Sequence, residues 1–309
     1  MTMELTSPGN FSLLSVSGPD ARRFLQGQLS CNMDDLTGQR SLPGAYCNLK
    51  GRVIADFLVI ENAEQVLLRC EPGMAESLRG RLAKYAVFFK VELEDVSAQW
   101  QRAAVIGDRA VQRFAEISGL NAPQADRDTV RQKELIVVRI PGPRSRLELL
   151  VPAKYGLPPH EETGSERDWQ LEDIRAGIAH VGATCSEQYT PQVLNYDLDG
   201  TINFRKGCYT GQEVVARMHY RGKASKRLYR LVTEAPIASG DLSGWQVVCT
   251  DRTLAASGEI LAQEAAEHGA ELLAILPRKL AEQPEGTLCL STNQTDAEDI
   301  PVTRLQGFE

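Results

Sequence analysis

Apolar positions recur with two different periods along the chain, and together they predict a mixed fold. Residues 11–16 read as a strand that stops at Gly18-Pro19-Asp20, after which Phe24, Leu25 and Leu29 fall at helical spacing. Strand-like runs follow at 53–60 and 65–70, then a helix over 72–85 whose Leu78, Leu82 and Tyr85 share a face, then a strand at 87–93. A second block repeats the mixture with a strand at 103–106, a helix at 109–117 and strands at 134–140 and 146–151. The long regular βα repeat of a doubly wound sheet is missing, so the expected class is α+β, with antiparallel sheets carrying helices on one face. The polar stretch 158–167 reads as a loop and 169–178 as a helix. From about Lys226 the pattern turns to short strands at 228–233, 245–250, 259–263, 271–276 and 287–290, separated by Gly, Pro and Asp, which predicts a small β-barrel or sandwich. The expected division is an α+β region over 1–225, built of two interleaved subdomains with one near 25–98, and a C-terminal barrel over 226–309.

Composition narrows the class further. The chain has 309 residues, 42% hydrophobic and 24% charged, enough to build a core, and it shows no repeat or low-complexity tract. Its net charge of −7 argues against a surface wholly committed to nucleic acid or an anionic membrane. The opening Met1-Thr-Met-Glu-Leu-Thr-Ser-Pro lacks the features of a secretory signal, and no apolar run nears the roughly 20 residues of a membrane span. A cytoplasmic protein is expected. Cysteines at 31, 47, 70, 185, 208, 249 and 289 are odd in number and widely spaced, which predicts free thiols and gives no metal-binding pair. The four histidines form no H-E-x-x-H, and G-x-G-x-x-G, P-loop and G-x-S-x-G motifs are absent.

Chemistry concentrates between Arg205 and Arg230, where eight Lys or Arg accompany a single acid, Glu213. So cationic a segment favours an anionic partner, or serves as a solvated linker into the barrel. Thr210 and Glu213 stand in the S/T-x-x-E relation of a capping box, which predicts a helix starting there with Cys208 just ahead of it. A helix N-terminus together with Arg205, Lys206 and Arg217 favours the thiolate, so an exposed Cys208 facing a channel is expected to be reactive; buried, it would be a small hydrophobe. Gly207 and Gly211 leave the backbone free for left-handed angles or close approach. Trp169 falls on a helical pattern with Leu171 and Ile174, where core packing is the default role.

At these residues the sequence resembles the folate-binding YgfZ family, relatives of the glycine-cleavage T-protein that support iron–sulfur cluster assembly or repair. The signature K-G-C-Y-x-G-Q-E is present without a gap as Lys206 to Glu213. Weaker stretches support it: Phe24-Leu-Gln-Gly-Gln28, Gly44 to Arg52, Lys84-Tyr-Ala-Val-Phe-Phe-Lys90 and Gln188-Tyr-Thr-Pro-Gln192. The resemblance implies a T-protein-like ring of α+β subdomains plus a barrel, with tetrahydrofolate in the central channel. It places the family's cysteine at Cys208, with Lys206 beside it as the second chemically active residue. Trp169 and Phe11 become aromatic walls of the folate pocket, and Tyr209, Gln212, Glu213 and Arg217 become further folate contacts. Two positions depart from relatives. Ala55 precedes Asp56 where T-protein has adjacent acids, which weakens the case for aminomethyl transfer, and Arg175 replaces a glutamate, so that Glu172 or Asp173 must serve the pterin edge.

The function implied is that of a tetrahydrofolate-binding accessory protein for iron–sulfur enzymes, tRNA-modifying ones included, whose partners are folate and iron–sulfur client proteins or assembly machinery. A folate-dependent aminomethyl or one-carbon transferase is the alternative. Direct nucleic-acid binding through Arg221, Lys223 and Lys226 is disfavoured, because Tyr220 and Tyr229 are the only aromatic residues interleaved with the later basic positions.

Overall fold

The computed structural model describes residues 2–308 except 223, 236, 238–243, 253 and 293–297, so Lys223 lies outside the described residues. The chain opens with β1 (Met3–Thr6), which belongs to a later sheet, and then builds a five-stranded antiparallel sheet. That sheet comprises β2 (Ser12–Ser17), helix α1 (Ala21–Gln26), β3 (Leu42–Cys47), β4 (Val53–Asn62), β5 (Gln65–Cys70), helix α2 (Met74–Ala86) and β6 (Glu92–Asp95), with strand order β3-β4-β5-β2-β6. Both of its faces are buried. Leu14, Val16, Phe57, Val59, Val66 and Leu68 pack under α1 and α2, whereas the alternate residues Leu13, Leu58, Ile60 and Leu67 meet the next sheet. Burial on both sides explains why these strands read as continuous apolar runs.

The second sheet is made of β7 (Trp100–Ile106), helix α3 (Asp108–Ser118), β8 (Thr129–Gln132), β9 (Leu135–Arg139), β10 (Arg146–Pro152) and β11 (His160–Gly164), with β1 inserted to give the order β11-β1-β7-β10-β9-β8. Helix α4 (Glu166–Ala176) follows, then a short 3₁₀ turn at Pro191–Leu194 and helix α5 (Gln212–Arg221). Strands β12 (Lys226–Thr233), β13 (Trp245–Cys249), β14 (Gly258–Ala265) and β15 (Ala270–Pro277), the one-turn helix α6 (Arg278–Ala281), β16 (Leu288–Thr292) and β17 (Ile300–Gln306) complete the chain. These six strands close into a barrel in the order β12-β15-β14-β13-β16-β17 around Leu231, Val247, Leu272, Ala274 and Leu290.

Three expectations are corrected. The stretch 158–167 is not all loop: His160–Gly164 pairs in parallel with β1, and it reads as polar because an exposed edge strand has no apolar face to bury. The strand expected at 87–93 begins only at Glu92, since Lys90 N–H is held by the Asp20 carboxylate at 2.9 Å and Val87 and Phe88 are exposed. Tyr85 accordingly sits apart from the buried Leu78 and Leu82. The capping box at Thr210 and Glu213 does not form. Gly211 is the N-cap of α5, at φ 84°, and Thr210 Oγ1 instead donates to Gln28 Oε1 at 3.0 Å. A Cβ at Gly211 would lie 2.4 Å from Asn48 O, so both the left-handed angle and the close approach demand glycine there. At Gly207, by contrast, a Cβ would meet nothing within 4 Å.

Candidate functional site

Residues from all three sheets converge on a central cavity of about 410 Å³. The α4 helix supplies Trp169, Asp173 and Ile174; Arg102 comes from β7, Glu71 and Pro72 from the end of β5, and Leu261, Gln263 and Leu273 from the barrel. Helix α4 is placed by a capping box, in which the Asp168 carboxylate accepts from Ser165 N–H at 2.7 Å. Trp169 is 2% exposed and lines the cavity, whereas Phe11, half-buried against the same apolar cluster, is not among the lining residues. The guanidiniums of Arg102 and Arg146 sit 5.2 and 4.6 Å from its ring centre, within cation–π range.

Beneath the cavity runs a buried ionic network that the sequence analysis did not pick out. Alternation along β10 turns Arg146, Glu148 and Leu150 toward the first sheet, while Leu147, Leu149 and Val151 face α3. Glu148 accepts from Arg69 at 3.0 Å and from Arg102 at 2.6 Å. Burial opposes its ionisation, but the two guanidiniums outweigh burial and hold its carboxyl below the usual range. Arg146 meets Asp173 at 2.8 Å, and Asp173 lies 3.6 Å from His180 Nε2. His180 Nδ1 is 2.9 Å from Asp56 Oδ2, and Val181 N–H donates to Asp56 Oδ1 at 2.6 Å. Burial would lower the His180 pKa, yet the charge of Asp56 and the bonds to both acids prevail and raise it to about 10. Asp173 is driven well below its ordinary value: burial resists, and Arg146 and His180 overcome it. The sequence signal for the network was a charge interrupting an apolar strand, as at Asp56, Arg69 and Glu148, which a buried position tolerates only with a partner. A smaller cavity of about 60 Å³ lies on the other side of the Asp173–His180 wall.

The K-G-C-Y-x-G-Q-E segment forms a separate unit, docked on the turn after α1 and on the tip of the β3–β4 hairpin. Lys206 Nζ donates to the carbonyls of Gln26, Leu29 and Cys31 at 2.8, 2.6 and 2.7 Å. Burial pushes Lys206 down to about 8, so it remains protonated at neutral pH. Cys208 is exposed, and all seven cysteines are free thiols. Tyr209 is buried with its hydroxyl unpartnered, and its backbone N–H donates to Gln212 Oε1 at 3.3 Å. Glu213 and Arg217 point to solvent, 3.7 Å apart. The structure therefore does not bring Cys208, Lys206, Tyr209, Gln212, Glu213 and Arg217 to the walls of the cavity beside Trp169. Packing of α5 against the hairpin, where a Cβ on Gly51 would strike Val214 at 2.9 Å, holds them outside it.

Arg175 is also accounted for. It donates to Glu271 at 3.0 and 2.8 Å and to Glu172 at 2.9 Å, fastening α4 to the barrel, and of the two acids considered for the pterin edge only Asp173 lines the cavity. Among the described residues no group of three His, Cys, Asp or Glu side chains is arranged to hold a metal ion. No helix among them is long and apolar enough to cross a membrane.

The tRNA-modifying protein YgfZ of Colwellia psychrerythraea is 32% identical over 273 residues, covering 84% of this chain and 80% of that protein. The chain belongs to the YgfZ family. Its Sodalis glossinidius namesake is 31% identical over 78% of this chain and 75% of its own length. Residues 5–147 match the GCVT N-terminal domain. In fold, this YgfZ-family chain superposes on the glycine cleavage system aminomethyltransferase T of Bartonella henselae with a TM-score of 0.74, covering 99% of this chain and 86% of that one at 17% identity. The expected T-protein-like arrangement of α+β sheets and a barrel is thus the fold observed.

Proposed function

We propose that this YgfZ-family protein binds tetrahydrofolate in the central cavity and acts as an accessory factor for the assembly or repair of iron–sulfur enzymes, those that modify tRNA among them, with Cys208 as its reactive thiol. The observation that carries the folate reading is the composition of the cavity wall. Trp169 with Ile174, Ile178, Leu261 and Leu273 offers apolar surface for a flat heterocycle, and Gln263 Oε1 is a buried acceptor without a partner. A reduced pterin presents amide and amine N–H groups, the kind of donor that the Gln263 oxygen lacks. When bound, tetrahydrofolate supplies a nitrogen able to carry a one-carbon unit; the protein's own residues bind and orient it.

The thiol reading rests on Cys208 being exposed on a loop that Lys206 and Gly211 fix in place. On this reading the two separate parts have different tasks: the cavity holds folate and the loop meets a protein client. A transferase role is disfavoured by Asp56, whose two carboxylate oxygens are occupied by His180 and the Val181 N–H, leaving no free base for an amine substrate beside Ala55.

Titration with tetrahydrofolate, followed by tryptophan fluorescence, is expected to give saturable quenching. No saturable change would remove the folate reading. Cys208→Ala is expected to abolish rescue of a strain defective in iron–sulfur enzyme maintenance while folate binding persists, and full rescue would remove the thiol's role.

A further inference from the structure

A cavity of about 550 Å³, distinct from the central one, opens on the seam between α5 and the barrel. Gln192, only 2% exposed, belongs to its wall, and the exposed Lys226 and Arg278 stand at its mouth. Gln192 Nε2 donates to Val215 O at 2.8 Å, which fixes the orientation of the amide. Its Oε1 is then a buried acceptor with no partner, the kind of group that a ligand donor satisfies. Two acids also line the cavity, but both are engaged: Asp197 takes Arg227 at 2.6 and 3.0 Å, and Glu282 takes Arg278 Nε at 2.7 Å. Helix α5 ends here without a left-handed cap, since Gly222 is extended at φ −134°, and the last carbonyls of a helix have no partner within it. Flat surfaces are close by. Tyr229 lines the cavity, and His219, another wall residue, stacks on Phe204 with ring centres 3.7 Å apart.

We propose that this cavity binds a nucleotide, either free or as one unit of a single-stranded nucleic acid. The unsatisfied acceptor of Gln192 suits an amine of a base or a hydroxyl of a sugar. Tyr229 and His219 suit its ring, and Lys226 with the outer N–H groups of Arg278 suits its phosphate. The inference is independent of the folate reading. It departs from the expectation that nucleic acid is disfavoured because aromatic residues are scarce in the basic stretch, for folding brings Phe204 and Tyr229 to the same seam.

The test uses the full chain and two probes: a fluorescein-labelled single-stranded RNA of about 12 nucleotides, matched to typical site sizes, and the four ribonucleoside 5′-monophosphates. Binding of either probe is expected, and Lys226→Ala/Arg278→Ala weakens it about tenfold while Lys154→Ala, on the far sheet, leaves it unchanged. Mononucleotides binding by themselves identify a free nucleotide as the source; binding by the strand only identifies a nucleic acid. With the strand, loss of two phosphate contacts lowers the slope of log affinity against log salt by about 1.4. Gln192→Leu, checked for an unchanged melting curve, weakens both probes without altering that slope. The proposal is overturned if neither probe binds, if the double variant binds like the wild type, or if inorganic phosphate competes as well as the nucleotides.

Discussion

His180 Nδ1 donates to Asp56 Oδ2 at 2.9 Å, joining the loop after α4 to β4; His180 lines both the central cavity and the smaller one, and Asp56 lines the smaller. With Asp173 3.6 Å from the other ring nitrogen, the imidazole carries both protons. Its pKa rises from 6.5 to about 10 on folding. A raised pKa contributes stability that is complete below pH 6.5 and disappears as pH climbs through 10. The expected result is a melting temperature that falls between pH 7 and 9 in the wild type and falls less in His180→Asn. Buried cysteines such as Cys31, raised to about 12, add their own alkaline loss only above the ordinary thiol range, so the comparison is made below pH 9. Parallel curves for the two proteins would show that the imidazolium is not formed.

Glycine is required at one of the two motif positions and free at the other. Gly211→Ala forces a left-handed alanine and a 2.4 Å approach to Asn48 O, so we expect a loss of about 2–3 kcal/mol by denaturant unfolding. Gly207→Ala meets open space and is expected to stay within about 0.5 kcal/mol of the wild type. Equal effects would contradict the described loop.

How much of this was legible beforehand differs by element. The runs that became β4 and β5 were readable because burial on both faces leaves no polar interruptions beyond the paired charges. β1 and β11 were missed since a four-residue strand and an edge strand alternate weakly and owe their existence to partners far along the chain. The K-G-C-Y segment announced itself through its spacing, yet spacing carries no information about what Lys206 touches. The contacts that fix it come from residues 26–31, some 175 positions away, and only tertiary structure supplies them. The Asp56–His180–Asp173 chain was hidden for the same reason, being assembled from three separate elements.

Lys206 and Cys208, two positions apart in the motif, are expected to separate cleanly on mutation. Lys206→Met removes an ammonium bound to three carbonyls, two of them in buried bonds, and takes the donor from each, for an expected cost of about 3 kcal/mol. Cys208→Ala changes an exposed side chain and is expected to cost less than about 0.5 kcal/mol. Stability and iron–sulfur rescue measured on both variants distinguish a framework residue from a chemical one. Loss of rescue in Lys206→Met without loss of stability would assign the lysine a chemical role instead.

Trp169 and Gln263 face the central cavity from α4 and from the barrel, so a ligand held between them must feel both. Trp169→Phe keeps an aromatic ring but shortens the stacking surface and loosens the pair of guanidiniums over it, which is expected to weaken tetrahydrofolate about tenfold. Gln263→Leu replaces the unpartnered acceptor with an apolar group of similar size. The protein itself loses nothing by that change, because the oxygen has no bond to give up, and it is expected to melt at or slightly above the wild-type temperature. Folate affinity is expected to fall in the same variant, since the donor that the oxygen would have received is then buried unpaired. A titration in which Gln263→Leu binds tetrahydrofolate as tightly as the wild type, while Trp169→Phe does not, would move the pterin's polar edge away from the barrel and toward Asp173.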